Sequence, residues 1–171
     1  SAQDPRMQLV PDQNALSTIL SVLDTAQTSI DLIQFSFAID DPDSGEINPK
    51  LDSYQVAKKL VELKLAKWES FRIRLYLEGE RSTSKRNRKT AEYLEAPGIE
   101  VHWGGTHAKA MIVDGKTVFV GSTNLTHQSL RKNNETNVVI WDHPTFVRYF
   151  LDYFNLLWEG RERVPGVYPP T

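Results

Sequence analysis

Cysteine is absent from the 171 residues, which removes thiol nucleophiles, disulfide frameworks, iron–sulfur clusters and cysteine-bound zinc together. Histidine is scarce, with 4 copies. Any metal centre would have to combine those few imidazoles with carboxylates, and neither a metal nor another cofactor is expected. No apolar run approaches the roughly 20 residues that cross a bilayer as a helix. A large charge of one sign is missing as well. The 20 Lys and Arg against 22 Asp and Glu leave a net charge of −2, which argues against a protein that coats nucleic acid through global positive charge. Local basic patches stay open. The first residue is Ser1 rather than Met, as where an upstream signal, anchor or tag has been removed. Localisation is left open, with periplasmic, secreted and membrane-anchored full-length forms all compatible.

What is present describes a foldable chain: 40% hydrophobic and 25% charged residues, with length enough to bury one core without covalent staples. Leu16, Ile19, Leu20 and Leu23 recur at helical spacing behind Asp12, read as an N-cap, and predict a helix over 12–27. Ile30, Leu32, Phe35 and Phe37 predict a largely buried strand over 29–39. The acidic stretch 40–50, with its Pro and Gly, is a long loop. A helix over 53–69 carries Val56, Leu60, Leu63 and Trp68 on or near one face, and alternating Phe71, Ile73, Leu75 and Leu77 make a strand. A short helix ends at Pro97-Gly98, and 99–103 is a strand. The Asp114-Gly115 dipeptide joins strands 107–113 and 117–120 in a hairpin. Strand 137–141 follows, then a closing helix over 144–159 whose apolar face includes Val147, Phe150, Phe154 and Trp158. Helices alternate with strands early and the hairpin comes late. The expected class is therefore α/β, with a mixed, mostly parallel β-sheet flanked by helices. One domain is expected over 1–171, its core about 10–160 and its ends flexible.

The chemistry-bearing segment runs from His107 through Lys109 and Asp114 to Gly121, Ser122 and Asn124, with Glu135 downstream. On a strand His107 and Lys109 project to one face, because side chains repeat with period two. An imidazole beside an ammonium suits an anion, the Lys neutralising charge while the His serves as nucleophile, base or acid. Gly121 lets backbone come close, and Ser122 and Asn124 add hydroxyl and amide donors. Such donors, converging on one point, match the charge of a phosphoryl transition state. Glu135 is a natural partner for the second ring nitrogen of His107.

These residues resemble a known family. The pattern His107-x-Lys109-x4-Asp114-x6-Gly121-Ser122-x-Asn124 matches the phospholipase D superfamily signature at every fixed position, with Glu135 where that family has its downstream acid. Length and element order are similar to the small, single-motif bacterial endonucleases of the superfamily, over about residues 10–160. The resemblance implies a phospholipase D-like fold and a two-step, metal-independent phosphodiester cleavage in which His107 forms a phosphohistidine. It implies that Lys109 and Asn124 grip phosphoryl oxygens and that Glu135 and Ser122 support the histidine. Asp114 belongs to the signature but opens the turn at the far end of the strand, so it reads as structural. A second motif's His would protonate the leaving oxygen, yet His102, His127 and His143 each lack a Lys two positions on. The expectation is a homodimer with its site on the two-fold axis, rather than a fragment of a two-motif chain.

Arg81, Lys85, Arg86, Arg88 and Lys89 crowd five cations just beyond the strand ending at Leu77. Substrates gather beyond the carboxyl ends of strands in open α/β sheets. The run is therefore expected to bind a DNA or RNA backbone, with Ser82, Thr83, Ser84 and Asn87 as neutral phosphate donors and Arg131 and Lys132 on the same rim. The acids of 40–46 either overhang that cleft or point away. His127 reads as a hydrogen-bonded loop residue, and Trp103, Trp141 and Trp158 as core or dimer contacts. The leading function is a non-specific endonuclease. The alternatives are a lipid hydrolase or phosphatidyl transferase acting at a membrane, and an inactive phosphate- or nucleic-acid-binding module.

Overall fold

The computed structural model describes residues 6–161, 164 and 166–171. Seven strands form one sheet: β1 Arg6–Pro11, β2 Ser29–Gln34, β3 Arg72–Glu78, β4 Glu100–Gly104, β5 Ala110–Val113, β6 Thr117–Gly121 and β7 Thr136–Trp141. Four helices pack on it: α1 Ala15–Asp24, α2 Asp52–Ala66, α3 Arg88–Glu95 and α4 Pro144–Trp158. The spatial order is β1-β7-β6-β5-β2-β3-β4.

Period-two alternation in β2, β3, β5, β6 and β7 feeds two cores. Met111 and Val113 of β5 join Ile30, Leu32, Ile73 and Leu75 under α1, α2 and α3, while Ala110 and Ile112 join Ile33 and Val118 under Val147 and Phe154 of α4. With both faces covered, β2 is buried along almost its whole length, polar Asp31 and Gln34 included. Its one acid, Asp31, pairs with Arg74 at 2.7 Å beneath α4, and the Arg74 guanidinium lies over the Phe154 ring.

The sheet is mixed, but parallel pairings are the minority. Only β2–β3 and β3–β4 run parallel; β2–β5, β5–β6, β6–β7 and β1–β7 are antiparallel. The expectation of a mostly parallel sheet fails here because the hairpin continues into β7, and β7 then takes the N-terminal strand. That strand was not foreseen, so residues 6–11 are an ordered edge and not a flexible end; residues 1–5 lie outside the described residues. At the other terminus Tyr168 stacks on Tyr149 of α4, ring centroids 5.7 Å apart.

Three local expectations also change. Asp12 sits at φ 55° and is not a helix N-cap. Its carboxylate accepts from Glu135 N (2.9 Å) while its own amide donates to Glu135 O (2.8 Å). α2 stops at Ala66, leaving Trp68 85% exposed instead of on the helix face. The loop 40–50 is a self-bonded hairpin: Asp40 bridges Ile47, Asp41 N donates to Glu46 O, and Gly45 takes φ 68° at its tip.

Asp114 does the structural work expected of it, with a reach beyond its turn. At φ 56° it accepts from the amides of Gln27, Thr28 and Ser29 and from the Thr28 hydroxyl, at 2.7–3.1 Å, tying the α1–β2 connection to the hairpin. Burial works against the charged form, but these donors outweigh it and hold the carboxyl below its ordinary value. A depressed folded-state pKa stabilises above the unfolded value near 3.9 and is lost as pH falls through the folded one. Asp114→Asn is expected to cost about 1–2 kcal/mol at pH 7, with the gap to wild type closing as the pH is lowered into the acid range. Urea titrations at several pH values check this; a gap independent of pH would contradict it.

Candidate active site

His107 and Lys109 lie beyond the carboxyl end of β2, where the strand ends at Gln34 and Phe35 follows, while Asp114 stands at the strand's opposite end. His107 and Lys109 do not lie on a strand, since β5 begins at Ala110. They occupy the segment leading into it, which is held by side chains. Glu78, at the end of β3, accepts from Thr106 N, and the Thr106 hydroxyl accepts from Ala108 N at 3.0 Å. His107 and Lys109 meet instead at the Phe35 ring. The His107 ring lies 4.1 Å from the Phe35 ring, centroid to centroid, tilted by 32°, and Lys109 Nζ stands 5.5 Å from the same centroid. Lys109 Nζ also donates to His107 O at 2.8 Å.

The loop after β6 is positioned from β7. Asn137 is buried; its amide group donates to Thr123 Oγ1 (2.8 Å) and Val10 O (3.2 Å), and its oxygen accepts from Thr123 N (3.3 Å). What comes close to Gly121 is this strand: a Cβ there would collide with Thr136 O and Asn137. Ser122 Oγ donates to Glu135 Oε1 at 2.7 Å and accepts from Thr136 N at 3.0 Å. Among the described hydrogen bonds Glu135 therefore binds Ser122, and Asn133 through its other oxygen at 3.2 Å, in place of the expected bond to His107. The Asp12 clamp holds the Glu135 backbone on the β7 side. Asn124 buries its amide oxygen without a partner, as does Gln34.

The basic run divides. Arg81 makes a bidentate pair with Glu95, 2.8 and 2.7 Å, and lies over the Trp103 ring. Lys85, Arg86, Arg88 and Lys89 line a cleft of about 890 Å³ whose opposite wall is the hairpin of Asp40, Pro42, Asp43 and Ser44, with Glu92 at its side. The acidic loop thus faces the basic run. Asn87 is no phosphate donor: it is 1% exposed, its oxygen accepts from Phe37 N (2.8 Å), and its amide donates to Phe35 O (3.0 Å) and Glu78 O (3.1 Å). Ser84 Oγ accepts from Asn87 N. Arg131 leaves the rim as well, in a bidentate pair with buried Asp52 at 2.9 and 2.8 Å.

Two of the other imidazoles are engaged elsewhere, and the third lies at the start of α4. His127 Nδ1 accepts from Asp52 N at 2.9 Å; His102 stacks on Trp158 at 3.4 Å; His143 precedes α4, its carbonyl accepting from Val147 N. Trp103 and Trp141 pack against the first core, and Trp158, the last residue of α4, packs against the second. Among the described residues no group of three or more His, Asp or Glu gathers to hold a metal.

Sequence reading missed Phe35, Glu78, Asn87, Asp12 and Asn137. A Phe after an apolar strand looks like core, and an Asn among cations looks like loop. Of these only Asp12 carried a local signal, and as an acid just before a helix it resembles an N-cap too closely.

The model of one family, described as cardiolipin synthase, PLD-like domain, matches residues 19–158. The human mitochondrial cardiolipin hydrolase is 29% identical over 151 residues, covering 86% of this chain and 52% of that protein. The human 5'-3' exonuclease PLD4 is 27% identical over 147 residues, covering 81% of this chain and 28% of that protein. The chain thus spans about half the length of the cardiolipin hydrolases it matches, and less of the exonuclease. Among solved structures, the phospholipase D family member Nuc from Salmonella typhimurium has a TM-score of 0.74 at 26% identity, covering 91% of this chain and 95% of that one. NucT from Helicobacter pylori shares the fold, with a TM-score of 0.71 at 17% identity over 91% of this chain and 97% of that one. With that family match running from α1 to the end of α4, over the signature segment from His107 to Asn124, the chain belongs to the PLD-like domain family of the phospholipase D superfamily.

Proposed function

We propose that this chain is a phosphodiesterase that cleaves polynucleotides through a phosphohistidine at His107. One observation carries the reading: the His107 imidazole and the Lys109 ammonium converge on the Phe35 ring, over which lies Arg86, one of four cations that line the neighbouring cleft. A ring nitrogen of His107 attacks phosphorus; the P–N bond forms as the bond to the leaving oxygen breaks, and that oxygen needs a proton. Water then attacks the phosphohistidine, gives up its own proton and breaks the P–N bond. Lys109 and Asn124 hold the phosphoryl oxygens, where negative charge peaks. The donor of the proton is the His107 of a second copy, since His127 and His102 are engaged away from the site and His143 stands at the start of α4. The site is therefore completed in a homodimer.

The basic wall supports a nucleic-acid substrate, as do the relative that is a 5'-3' exonuclease and the similarity to Nuc. A second reading, a lipid phosphodiester, is favoured by the cardiolipin hydrolase relatives. It is also favoured by Met7 and Leu9, 61% and 67% exposed on the β1 edge.

The test is one panel in EDTA: single-stranded DNA, duplex DNA, RNA, and vesicles containing cardiolipin, with a molar mass measured in solution. The expected result is polynucleotide cleavage that survives chelation, falls steeply with salt, and comes from a dimer. Activity confined to vesicles would transfer the reading to lipid. Loss of all activity on chelation would overturn the metal-free mechanism.

A further inference from the structure

We infer that Phe35 builds a second cationic arm into the phosphate pocket. It fixes the plane of the His107 ring and holds Arg86 beside it, so that Arg86 joins Lys109 on the reacting phosphate. This rests on the phosphodiesterase reading and adds two residues outside the His-x-Lys signature.

Three groups share the Phe35 ring: the His107 imidazole at 4.1 Å, the Arg86 guanidinium carbon at 4.7 Å and Lys109 Nζ at 5.5 Å, all to its centroid. The negative faces of an aromatic ring attract cations, and a guanidinium resting on one keeps its N–H fork free for a phosphate. Arg86 uses that freedom: it makes no ion pair among the described residues, whereas Arg81 is taken up by Glu95. Lys85, Arg88 and Lys89 have no such aromatic contact among the described residues and line only the wall of the cleft or its neighbouring hollow.

The backbone explains why Arg86 arrives at this ring. Its neighbour Asn87 is the buried clamp that binds Phe35 O, Phe37 N and Glu78 O. One side chain thus ties together the segment that bears Phe35, the segment that bears Arg86, and the β3 end whose Glu78 holds the loop of His107. The ring and the cation are registered to the nucleophile by the same three hydrogen bonds. Phe35 is a positioning residue in this scheme; Arg86 touches substrate.

The test uses the whole chain with bis(4-nitrophenyl) phosphate, a diester too small to span from the nucleophile along the cleft. Arg86→Gln is expected to lower kcat/KM on it about tenfold or more, the loss of one charge-assisted contact in the transition state. Arg86→Lys, without the planar fork, should recover only part. Lys58→Gln, the same charge change on the far side of α2, should do nothing, and Lys85→Gln should act mainly on KM for a polynucleotide. Phe35→Leu is expected to lower kcat with little change in KM, and Phe35→Tyr to restore it, a split that a purely packing role would not produce. A second measurement needs no turnover: inorganic phosphate is titrated while the His107 ring protons are followed by NMR. Arg86→Gln should weaken phosphate binding about tenfold. An Arg86→Gln variant indistinguishable from Lys58→Gln in both measurements would overturn the inference. A wild type that ignores the diester yet loses phosphate on Arg86→Gln would instead sink the phosphodiesterase reading and keep the pocket. If Phe35→Leu fails to fold, Phe35→Tyr and Arg86→Gln still decide.

Discussion

Replacing His107 by Asn is expected to reduce phosphodiester turnover by about 10⁴-fold or more, with the fold and the dimer unchanged. His107 is exposed, its ring rests on Phe35, and it belongs to neither core, so its removal leaves no cavity in either. An amide has a similar outline but no basic nitrogen to form the P–N bond, so the covalent route closes instead of slowing. The residual rate reflects what Lys109 and Asn124 still do for a bound phosphate. Steady-state kcat on the diester, a melting curve and a molar mass on the same preparation make the comparison. Reactions of wild type with a labelled diester, quenched in alkaline detergent, should carry label on protein, stable to base and lost in acid, and the Asn variant should carry none. Turnover within tenfold of wild type would remove His107 as nucleophile, whatever the fate of the label.

The largest expected effect on stability comes from a residue with no part in the signature. Asn87→Ala is expected to cost roughly 3–5 kcal/mol. The side chain is 1% exposed and is bonded to three backbone groups of two segments, Phe37 N, Phe35 O and Glu78 O. Ala would leave all three without their partner at a site too enclosed to admit water freely, and each such group costs on the order of 1–3 kcal/mol. Urea unfolding measures the loss, and exposed Lys58→Ala, expected within about 0.5 kcal/mol of wild type, sets the scale. Because the clamp registers Phe35 and Arg86 to the His107 loop, the folded fraction of the variant should also lose kcat. A destabilisation under about 1 kcal/mol would show that the segments carry their own register.

Much of this molecule was legible in the chain because its signals are local. Helical spacing at Leu16, Ile19 and Leu23 and alternation at Ile73, Leu75 and Leu77 found their elements, since burial on one or both faces dictates residue type along the segment. The Asp114-Gly115 turn was legible too, for a left-handed position leaves few choices of residue. The sheet's pairing was less so. Parallel or antiparallel neighbours depend on which strands meet, and β7 meets both β6 and the N-terminal strand, which no local pattern announces. The basic run shows the same limit inside a site. Five cations in nine positions look alike along the chain, yet in space Arg81 belongs to Glu95, Arg86 to Phe35, and the rest to the cleft.

The amino-acid sequence by itself determined the chemistry: an imidazole and an ammonium two residues apart, a Gly-Ser-x-Asn segment, an acid downstream, and a turn whose Asp is structural. Those are properties of residue type and short spacing, so they survive being read in one dimension. Only the tertiary structure decided which acid meets which base. Glu135 binds Ser122 rather than His107, Asn87 is a clamp rather than a donor, and Phe35 rather than a strand face brings His107 and Lys109 together. Hydrogen bonds and ring contacts fall away within a few ångströms. Partners far apart in the chain are set by how the two cores close around the sheet, and no spacing along the chain encodes that distance.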